Sequence, residues 1–419
     1  MLLTLEKTSA LRATRYLRAE RGISPASLPR TDVLGPDPTP RRRWTSSAID
    51  LSPVGQIAFD ERHPLHVAVE SQERRPKLRG VEASVRGGSV PRDAYLNVGG
   101  GVAISSPELL FAELAEMMSP EVLLLTGLEL CGSFSRDPVN PRDGNIRFDL
   151  PHATSADAIR RFLEESTYIR ELSAARLVAP YLVDNAWSPM EAIVAVMALL
   201  PHELMGYGLG PLVLNPRKTL EGADSSFAQK ATRVPDIMFG DTGVGINYDG
   251  GGHWDMKAVA EAAAKAAQNP DSEVAARELA DVIRTVRRKY ADDRRRDRDL
   301  WLQGMTVFPA TSFDLYDEGG MDRLMGQVIR AIERNTGRNM QDQFDFLERP
   351  WFKKRRQKVL WSLLPGQRGR ELSVEQPPAH EPREVVDVVV KISDLGDPDI
   401  LLWKGPLPDG YTIGGVPLR

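Results

Sequence analysis

The stretch RVPDIMFGDTGVGINYDGGGHWD, residues 233–255, carries the strongest indication of tertiary structure in this chain. Two short apolar runs flank GDTG at 240–243, which is typical of the turn of a β-hairpin. A turn centred in the middle of this tetrapeptide places Asp236 directly opposite Asn247. Because side chains alternate along a strand, Asp249 lies on the same face as the diagonal neighbour of Asp236. The segment therefore predicts three polar side chains on one face of a hairpin.

These residue types favour a hard divalent cation. Burying carboxylates together costs free energy unless a cation or protons compensate them, so a convergent Asp236 and Asp249 indicate Mg²⁺ or Mn²⁺. Such an ion polarises a phosphodiester and activates water. The alternative is that the aspartates cap a turn, where Asp and Gly are common. That alternative has more weight for Asp249, which three glycines follow, than for Asp236, which lies inside a strand.

Two further residues are candidates for the same site. His253 follows Gly250–Gly252, and we expect this loop to be flexible enough to bring the imidazole over the sheet end as a general base, metal ligand or phosphate contact. The alternative is a surface histidine in a loop. Glu191 occupies the third position of a helix that Ser188 caps and Pro189 begins, which is the pattern of a capping box. The sequence does not separate this capping role from that of a helix-borne carboxylate completing a metal site.

A highly charged helix leads into a strand over DDRRRDRDLWLQGMTVFPA, residues 292–310. Helical spacing places acidic and basic residues in stripes that run side by side. Arg294, Arg295 and Arg298 are the candidate phosphate contacts, and the basic cluster Lys353–Arg356 is a second surface able to face phosphates. A charge run is also typical of a solvated, salt-bridged helix face. The phosphate-binding interpretation requires that the helix lie beside Asp236.

The composition sets the class of protein. The chain has 419 residues, of which 42% are hydrophobic, so it can bury a large core spread over two or three domains. Its single cysteine excludes an internal disulfide framework and a Cys-rich zinc module, which favours a reducing, cytoplasmic location. Apolar runs are too short to cross a bilayer, and early charges argue against a signal peptide. The net charge of −4 means that contact with nucleic acid depends on local basic patches.

Changes of pattern along the chain divide it into segments. Short alternating strands precede a helix that Ser106 caps, and Ser155 begins a second helical stretch. Further on, Ala-rich helices break once at Asn269-Pro270-Asp271. The segments are a partly disordered lead-in at 1–50, a small α/β domain at 51–152, a helical connector at 153–187, a second α/β domain at 188–335 with helices inserted at 256–290, and a basic, Pro-rich extension at 336–419.

Four blocks occur in a specific order within the second domain: SPME at 188–191, VPDI at 234–237, INYDGGGH at 246–253 and DRRRDRDLWLQGMTV at 293–307. In this order they resemble small endonuclease-like domains related to the very-short-patch mismatch repair endonucleases, within the PD-(D/E)XK restriction-endonuclease-like superfamily. The resemblance implies an α/β fold in which a restriction-endonuclease-like mixed sheet is flanked by helices and preceded by a smaller α/β domain.

The resemblance also implies roles for the candidate residues. It makes Glu191 the helix-borne acid and Asp236 the central metal ligand, with Asp249 and His253 as accessory site residues. It places Arg294–Arg298 on a helix packed over the site. Magnesium or manganese is the implied cofactor, and DNA is the implied partner.

Two departures from the family pattern bear on activity. Asn247 occupies the position where the family has Glu, and an amide keeps an oxygen ligand but removes a charge, so metal affinity and water activation both fall. The helices at 256–290 are longer than the family's usual link. The resemblance is therefore compatible with a metal-dependent endonuclease acting on DNA in phage defence or repair. It is equally compatible with a catalytically degenerate nuclease fold that serves as a nucleic-acid-binding or antitoxin-like regulatory protein.

A weaker resemblance concerns the first α/β domain. HVAVES at 66–71, ISSPELLFAELAEMM at 104–118 and LTGLELCG at 125–132 are similar to the C-terminal domain of abortive-infection antitoxins of the AbiEi type. The chain has no clear winged-helix segment at its N-terminus, so this resemblance does not imply DNA recognition by a winged helix. Neither a toxin partner nor the oligomeric state follows from the sequence.

Overall fold

The computed structural model describes residues 3–32, 49–86, 90–166, 172–219, 232–249, 251–268 and 272–374, together with four strands between 386 and 417. These residues form a mixed α/β protein whose two larger sheets are flanked by helices. No helix within the described residues combines the length and the apolar character that crossing a membrane requires.

The first sheet has six strands: β1 (Leu3–Leu5), β2 (Arg30–Thr31), β3 (Leu65–Val69), β4 (Val81–Val85), β5 (Tyr95–Gly99) and β6 (Val102–Ser105). Their spatial order is β2-β5-β6-β1-β3-β4. β1 pairs in parallel with β6 and antiparallel with β3. The short strands predicted before the helix that Ser106 caps are confirmed, and β3 and β4 are two of them.

Residues 3–32, the first part of the predicted lead-in, form packed secondary structure. All three residues of β1 are buried between two neighbouring strands, and α1 (Lys7–Arg21) buries Leu11 and Leu17 in the core. A three-residue strand is too short to show alternation in the sequence, because pairing on both sides rather than local pattern stabilises it. The Pro- and Arg-rich residues 33–48 lie outside the described residues.

Four helices pack with the first sheet: α2 (Pro107–Leu114), α3 (Pro120–Leu130), α4 (Ala156–Glu165) and α5 (Leu172–Val178). The predicted caps are confirmed, since Ser106 Oγ accepts the Leu109 N–H at 3.3 Å and Ser155 Oγ accepts the Ala158 N–H at 3.2 Å. Both helices of the predicted connector, α4 and α5, contact α2. The connector therefore belongs to the packed core.

The second sheet has four strands in the order β12-β11-β10-β7. β7, β10 and β11 are antiparallel neighbours, whereas β12 is parallel to β11. A parallel neighbour requires a crossover, and two long helices between β11 and β12 provide it. The elements are α6 (Pro189–Leu199), β7 (Val213–Leu214), β8 (Lys218–Thr219), β9 (Thr232–Arg233), β10 (Ile237–Met238), β11 (Val244–Asp249), α7 (Gly251–Gln268), α8 (Glu273–Leu302) and β12 (Thr306–Thr311).

The two predicted inserted helices are confirmed as α7 and α8, and the predicted strand MTVFPA is confirmed as β12. α8 continues to Leu302 rather than ending near Tyr290. The charged segment from Asp292 onward is therefore the last third of one helix, because Arg, Asp and Leu continue without a Gly or Pro until Gly304.

The remaining elements are α9 (Ser312–Tyr316), α10 (Gly320–Thr336), α11 (Gln341–Glu348), α12 (Pro350–Leu363), α13 (Gly366–Val374), β13 (Val386–Val390), β14 (Ile400–Gly405), β15 (Thr412–Ile413) and β16 (Val416–Pro417). One continuous hydrophobic core extends from Leu3 to Leu364 and includes residues of both larger sheets. α3 contacts α6, and α12 contacts both of these helices.

The expectation that the cluster Lys353–Arg356 faces phosphates is wrong for Arg356. This side chain is 1% exposed, donates through Nε to Asp322 Oδ1 at 2.8 Å and lies 4.7 Å from the ring of Tyr207. The packing of α12 against α6 turns this position inward, which a run of four basic residues does not reveal.

Candidate metal and nucleic-acid site

Asn215, Asp236 and Asn247 lie in one row across the second sheet. The pairing of β10 with β11, continued by one residue, places Asp236 opposite Asn247, and the pairing of β10 with β7 places Asp236 opposite Asn215. The Asp236 N–H donates to Asn247 Oδ1 at 3.0 Å, and the Asn215 N–H donates to the Asp236 carbonyl at 2.8 Å. The predicted register of the hairpin is therefore confirmed.

Glu191 reaches this row from the N-terminus of α6. Its N–H donates to Ser188 Oγ at 3.2 Å, and its Oε2 accepts the Trp187 N–H at 3.3 Å. Its other carboxylate oxygen, Oε1, accepts a hydrogen bond from Asn215 Nδ2 at 2.5 Å. Glu191 therefore belongs to the capping of its helix and also contacts the polar row, so the two interpretations of the sequence do not exclude each other.

The surroundings of Glu191 disfavour its charged form. Burial, followed by the negative charge of Asp236, raises the pKa of Glu191 to about 8, and the hydrogen bonds from Trp187 and Asn215 offset only part of this effect. The residue is 3% exposed, and no cationic side chain of the described residues pairs with it. A buried carboxyl group without a compensating cation holds its proton until a cation replaces it.

Two amide atoms beside these carboxylates are buried without a hydrogen-bond partner among the described residues: Asn215 Oδ1 and Asn247 Nδ2. Buried polar atoms normally have a partner, so the bare oxygen of Asn215 indicates a site for a further ligand. Carboxylate and amide oxygens are the ligands that magnesium and manganese prefer. Glu191, Asp236 and Asn215 therefore fit a divalent ion.

Asn247 makes a weaker ligand than the sequence indicates, because its Oδ1 already accepts the Asp236 N–H. Asp236 Oδ2 in turn accepts the Tyr248 N–H at 2.6 Å. No cluster of three or more His, Cys, Asp or Glu side chains able to hold a metal is found within the described ranges. An ion at this row would therefore depend on amide oxygens as well as on two carboxylates.

Asn215 and the residue that supports it, Asn185, were not predicted from the sequence. The Asn185 carbonyl accepts from Asn215 Nδ2 at 2.9 Å, and Asn185 Nδ2 donates to the Leu214 carbonyl at 3.2 Å. Both asparagines have positive φ, 49° for Asn215 and 75° for Asn185. Asparagine is enriched in this conformation. The only feature of the sequence that could have pointed to these two residues was therefore an asparagine in each loop.

Asp249 is not a member of the buried group. Asp249 ends β11 opposite Thr311 of β12, and its side chain is exposed. The expectation of a flexible loop at His253 is wrong, because α7 begins at Gly251 and places His253 in its first turn. The Ala-rich sequence that follows favours extension of the helix back into the glycines. The His253 side chain lies outside the described residues.

α8 covers the sheet face that carries Asp236. Met238, two residues along β10 and thus on the same face, packs with Leu300 of α8 and with Met305. Gly245 lies opposite Met238, and a Cβ at Gly245 would be 2.5 Å from Met238 Sδ. Successive residues on one face of a strand are about 7 Å apart, so the end of α8 lies one step from the row of Asp236.

The candidate phosphate contacts lie on the exposed side of this helix. Arg294, Arg295 and Arg298 line a groove of about 790 Å³, whose wall also includes Val307 of β12. Val307 pairs with Gly245 in the sheet register. The groove therefore adjoins β12, the edge strand of the sheet that carries Asp236, and the phosphate-binding role of the three arginines stays a prediction.

Comparisons with protein-family models, with curated proteins and with solved structures find no match to this chain.

Proposed function

We propose that the protein is a divalent-metal-dependent, nuclease-like protein that acts on DNA. The observation that carries the proposal is the buried Glu191, which has no cationic partner among the described residues and lies beside Asp236 and the bare Asn215 Oδ1. Cation binding would compensate the charge of Glu191 and give that oxygen a ligand. Arginines at the edge of the same sheet face supply charge for the phosphates of a substrate.

The chemistry divides between the ion and the chain. Bound Mg²⁺ or Mn²⁺ supplies polarisation of a phosphodiester and a more acidic water molecule. Glu191, Asp236 and Asn215 would hold the ion, and Glu191 would have to be deprotonated to do so. Ser188 and Asn185 position these ligands through the hydrogen bonds described above. Arg294 and Arg298 hold the phosphate backbone next to the sheet edge.

The arrangement of elements supports the same proposal. Between α6 and β12, strands β7, β10, β11 and β12 form a mixed sheet with helices on it, and β8 and β9 form a separate two-stranded sheet. A mixed sheet flanked by helices is compatible with the restriction-endonuclease-like fold that we propose, in which Glu191 lies on the first helix and Asp236 and Asn247 lie beside β10 and on β11. Fold alone does not establish activity, so the polar row carries the argument.

A second candidate function, nucleic-acid binding without cleavage, is favoured by the neighbourhood of Asn247. The amide replaces a carboxylate, its oxygen is occupied by the Asp236 N–H, and Asp249 is exposed. The buried group therefore has two carboxylates to bind an ion and activate water. A protein of this kind keeps the arginine surface and loses the chemistry.

Calorimetric titration of Mg²⁺ and Mn²⁺ into the full chain tests the proposal. The titration is made above the pKa of Glu191, about 8, so that the carboxylate is available. We expect wild type to bind and Asp236→Ala to lose binding. Asp241→Asn is the matched control, because Asp241 is an exposed acid in the same hairpin, and it should bind as wild type does. Failure of wild type to bind either ion would refute metal dependence.

Cleavage assays then separate the two candidate functions. Metal-dependent cleavage of DNA by wild type and its loss in Asp236→Ala would establish the nuclease. Cleavage that appears only in Asn247→Glu would identify wild type as the non-cleaving form, because this substitution restores the third carboxylate.

A further inference from the structure

Arginines on α8 form a stripe that extends beyond the three candidate phosphate contacts. Along an α-helix, residues three and four positions apart lie on one face. Residues with this spacing form a stripe on α8 that begins at Arg284 and ends at Trp301, near the C-terminus of the helix. Its members are Arg284, Arg287, Arg288, Ala291, Arg294, Arg295, Arg298 and Trp301.

The surface along this stripe is continuous. A groove of about 390 Å³ that includes Arg284, Arg287 and Arg288 shares Ala291 and Arg295 with the groove of about 790 Å³ described above. At a rise of 1.5 Å per residue, the stripe is about 26 Å long. It therefore provides a linear path that ends next to the second sheet.

The arginines of the stripe can bind an anionic ligand. Within the part of the chain that the structure describes, Arg287, Arg288 and Arg298 have no carboxylate partner. Arg284 and Arg295 pair with aspartates one turn away, Asp281 and Asp292, but all four side chains are exposed. Exposed ion pairs contribute little, so phosphates can replace these aspartates at small cost.

Trp301 gives the stripe a second kind of contact. It is 73% exposed, lies one turn after Arg298, and lines the groove together with Met305 and Val307. An exposed indole is a surface on which a nucleobase stacks. In a duplex, neighbouring base pairs cover the faces of each base, so only an unpaired base can use Trp301 in this way.

We propose that the α8 stripe is a track for single-stranded nucleic acid, with phosphates on its arginines and an unpaired base stacked on Trp301. The track follows one phosphate chain, because it is one row on one helix. This inference rests on the proposed function and specifies its substrate as a strand that is unpaired where it reaches the sheet.

Fluorescence anisotropy in EDTA tests the track without any contribution from metal. Labelled oligo-dT, oligo-U and a DNA duplex of equal length are titrated with the full chain. We expect wild type to bind the single strands more tightly than the duplex, and Trp301→Ala to weaken single-strand binding by about tenfold without changing duplex binding. Phe148→Ala, which removes another exposed aromatic side chain (52%), is the control and should bind as wild type does.

A second pair of variants tests the arginines. Arg287→Ser/Arg288→Ser should weaken binding and make the dependence of log K on log salt shallower by about 1.4, the value for two phosphate contacts on a single strand. Arg62→Ser/Arg92→Ser removes the same charge from exposed positions elsewhere and should leave the affinity unchanged.

Several outcomes would overturn the track: full single-strand affinity in Trp301→Ala, preference of wild type for the duplex, or equal loss in the two arginine double variants. Binding of poly-glutamate as tightly as oligo-dT would also overturn it, because it would assign the stripe to acidic proteins. Tighter binding of oligo-dT than of oligo-U fits the track and the DNA substrate of the proposed function, whereas tighter binding of oligo-U would overturn DNA as the strand on the track. EDTA removes divalent ions, so the anisotropy assay tests the track independently of metal binding at Asp236. Either of the two proposals can therefore fail while the other holds.

Discussion

Glu129 and Glu191 are both buried carboxylates on apolar helices, but their partners differ. Glu129, 1% exposed, accepts from Arg15 Nη2 at 2.8 Å and from Arg136 Nε at 2.7 Å. Glu191, 3% exposed, accepts only from the N–H groups of Trp187 and Asn215 among the described residues. The first carboxylate is compensated by two guanidinium groups, and the second is not compensated.

The difference appears in the pKa of each group. Burial by itself raises the pKa of both carboxyls, but the charges of Arg136 and Arg15 outweigh burial and hold the pKa of Glu129 well below its usual range. For Glu191 the charge of Asp236 adds to burial and raises the pKa to about 8. Loss of a compensated buried carboxylate leaves its buried cations without a counter-ion, whereas an uncompensated carboxylate itself costs stability and is a candidate for function.

The largest effect is expected from Glu129→Gln. Removal of this charge leaves Arg15 and Arg136 buried without a counter-ion, which should lower the free energy of unfolding by about 3–5 kcal/mol. Urea denaturation at neutral pH measures the change. Glu116→Gln, at an exposed position, is the control and should change stability little. If Glu129→Gln lowers the free energy of unfolding no more than the control does, the structural role of Glu129 is refuted.

Glu191→Gln should have an effect of the opposite sign. The folded state keeps a proton on Glu191 between its ordinary pKa, 4.5, and about 8, whereas the unfolded state releases it. Wild type should therefore lose stability as pH rises through this window, by up to about 1.4 kcal/mol per pH unit from this group. Gln keeps the shape without the charge, so the variant should be less sensitive to pH and more stable than wild type near pH 8.

Urea denaturation across the same pH window measures this effect. Glu113 is a second buried carboxyl whose pKa burial raises, and it contributes the same pH dependence to both proteins, so only the difference between wild type and variant counts. Parallel stability curves for wild type and Glu191→Gln would show that Glu191 is ionised in the fold, and the contrast with Glu129 would disappear.

The smallest effect is expected from Ser188→Ala, which separates capping from charge. Loss of the hydrogen bond from the Glu191 N–H to Ser188 Oγ should lower the free energy of unfolding by about 1 kcal/mol. This loss should be the same at pH 6 and pH 8, since Ser188 does not titrate. Ser155→Ala removes the matching cap of α4 and serves as the control. A strongly pH-dependent loss in Ser188→Ala alone would mean that the cap and the Glu191 proton are coupled.

Local features were predicted correctly from the sequence. Ser106, Ser155 and Ser188 cap their helices as expected, because a cap depends on residues within one turn. The register of Asp236 against Asn247 was also correct, because a short turn fixes the pairing of the strands beside it.

Features that depend on distant residues were missed. β1 is central in its sheet because β3 and β6 pair with it from both sides. Arg356 is buried because its guanidinium group contacts Asp322 and the ring of Tyr207. Asn215 enters the polar row because β7 pairs with β10, and no motif connects it with Glu191.

The helix caps, the hairpin and the chemical type of the polar residues follow from the sequence, because they depend on neighbours a few positions away. The tertiary structure was needed to show that Glu191 is buried beside Asp236 with no cationic partner among the described residues, while Glu129 is buried between two arginines. Burial and long-range pairing set the electrostatic environment of a carboxylate, and residues far apart in the chain create both.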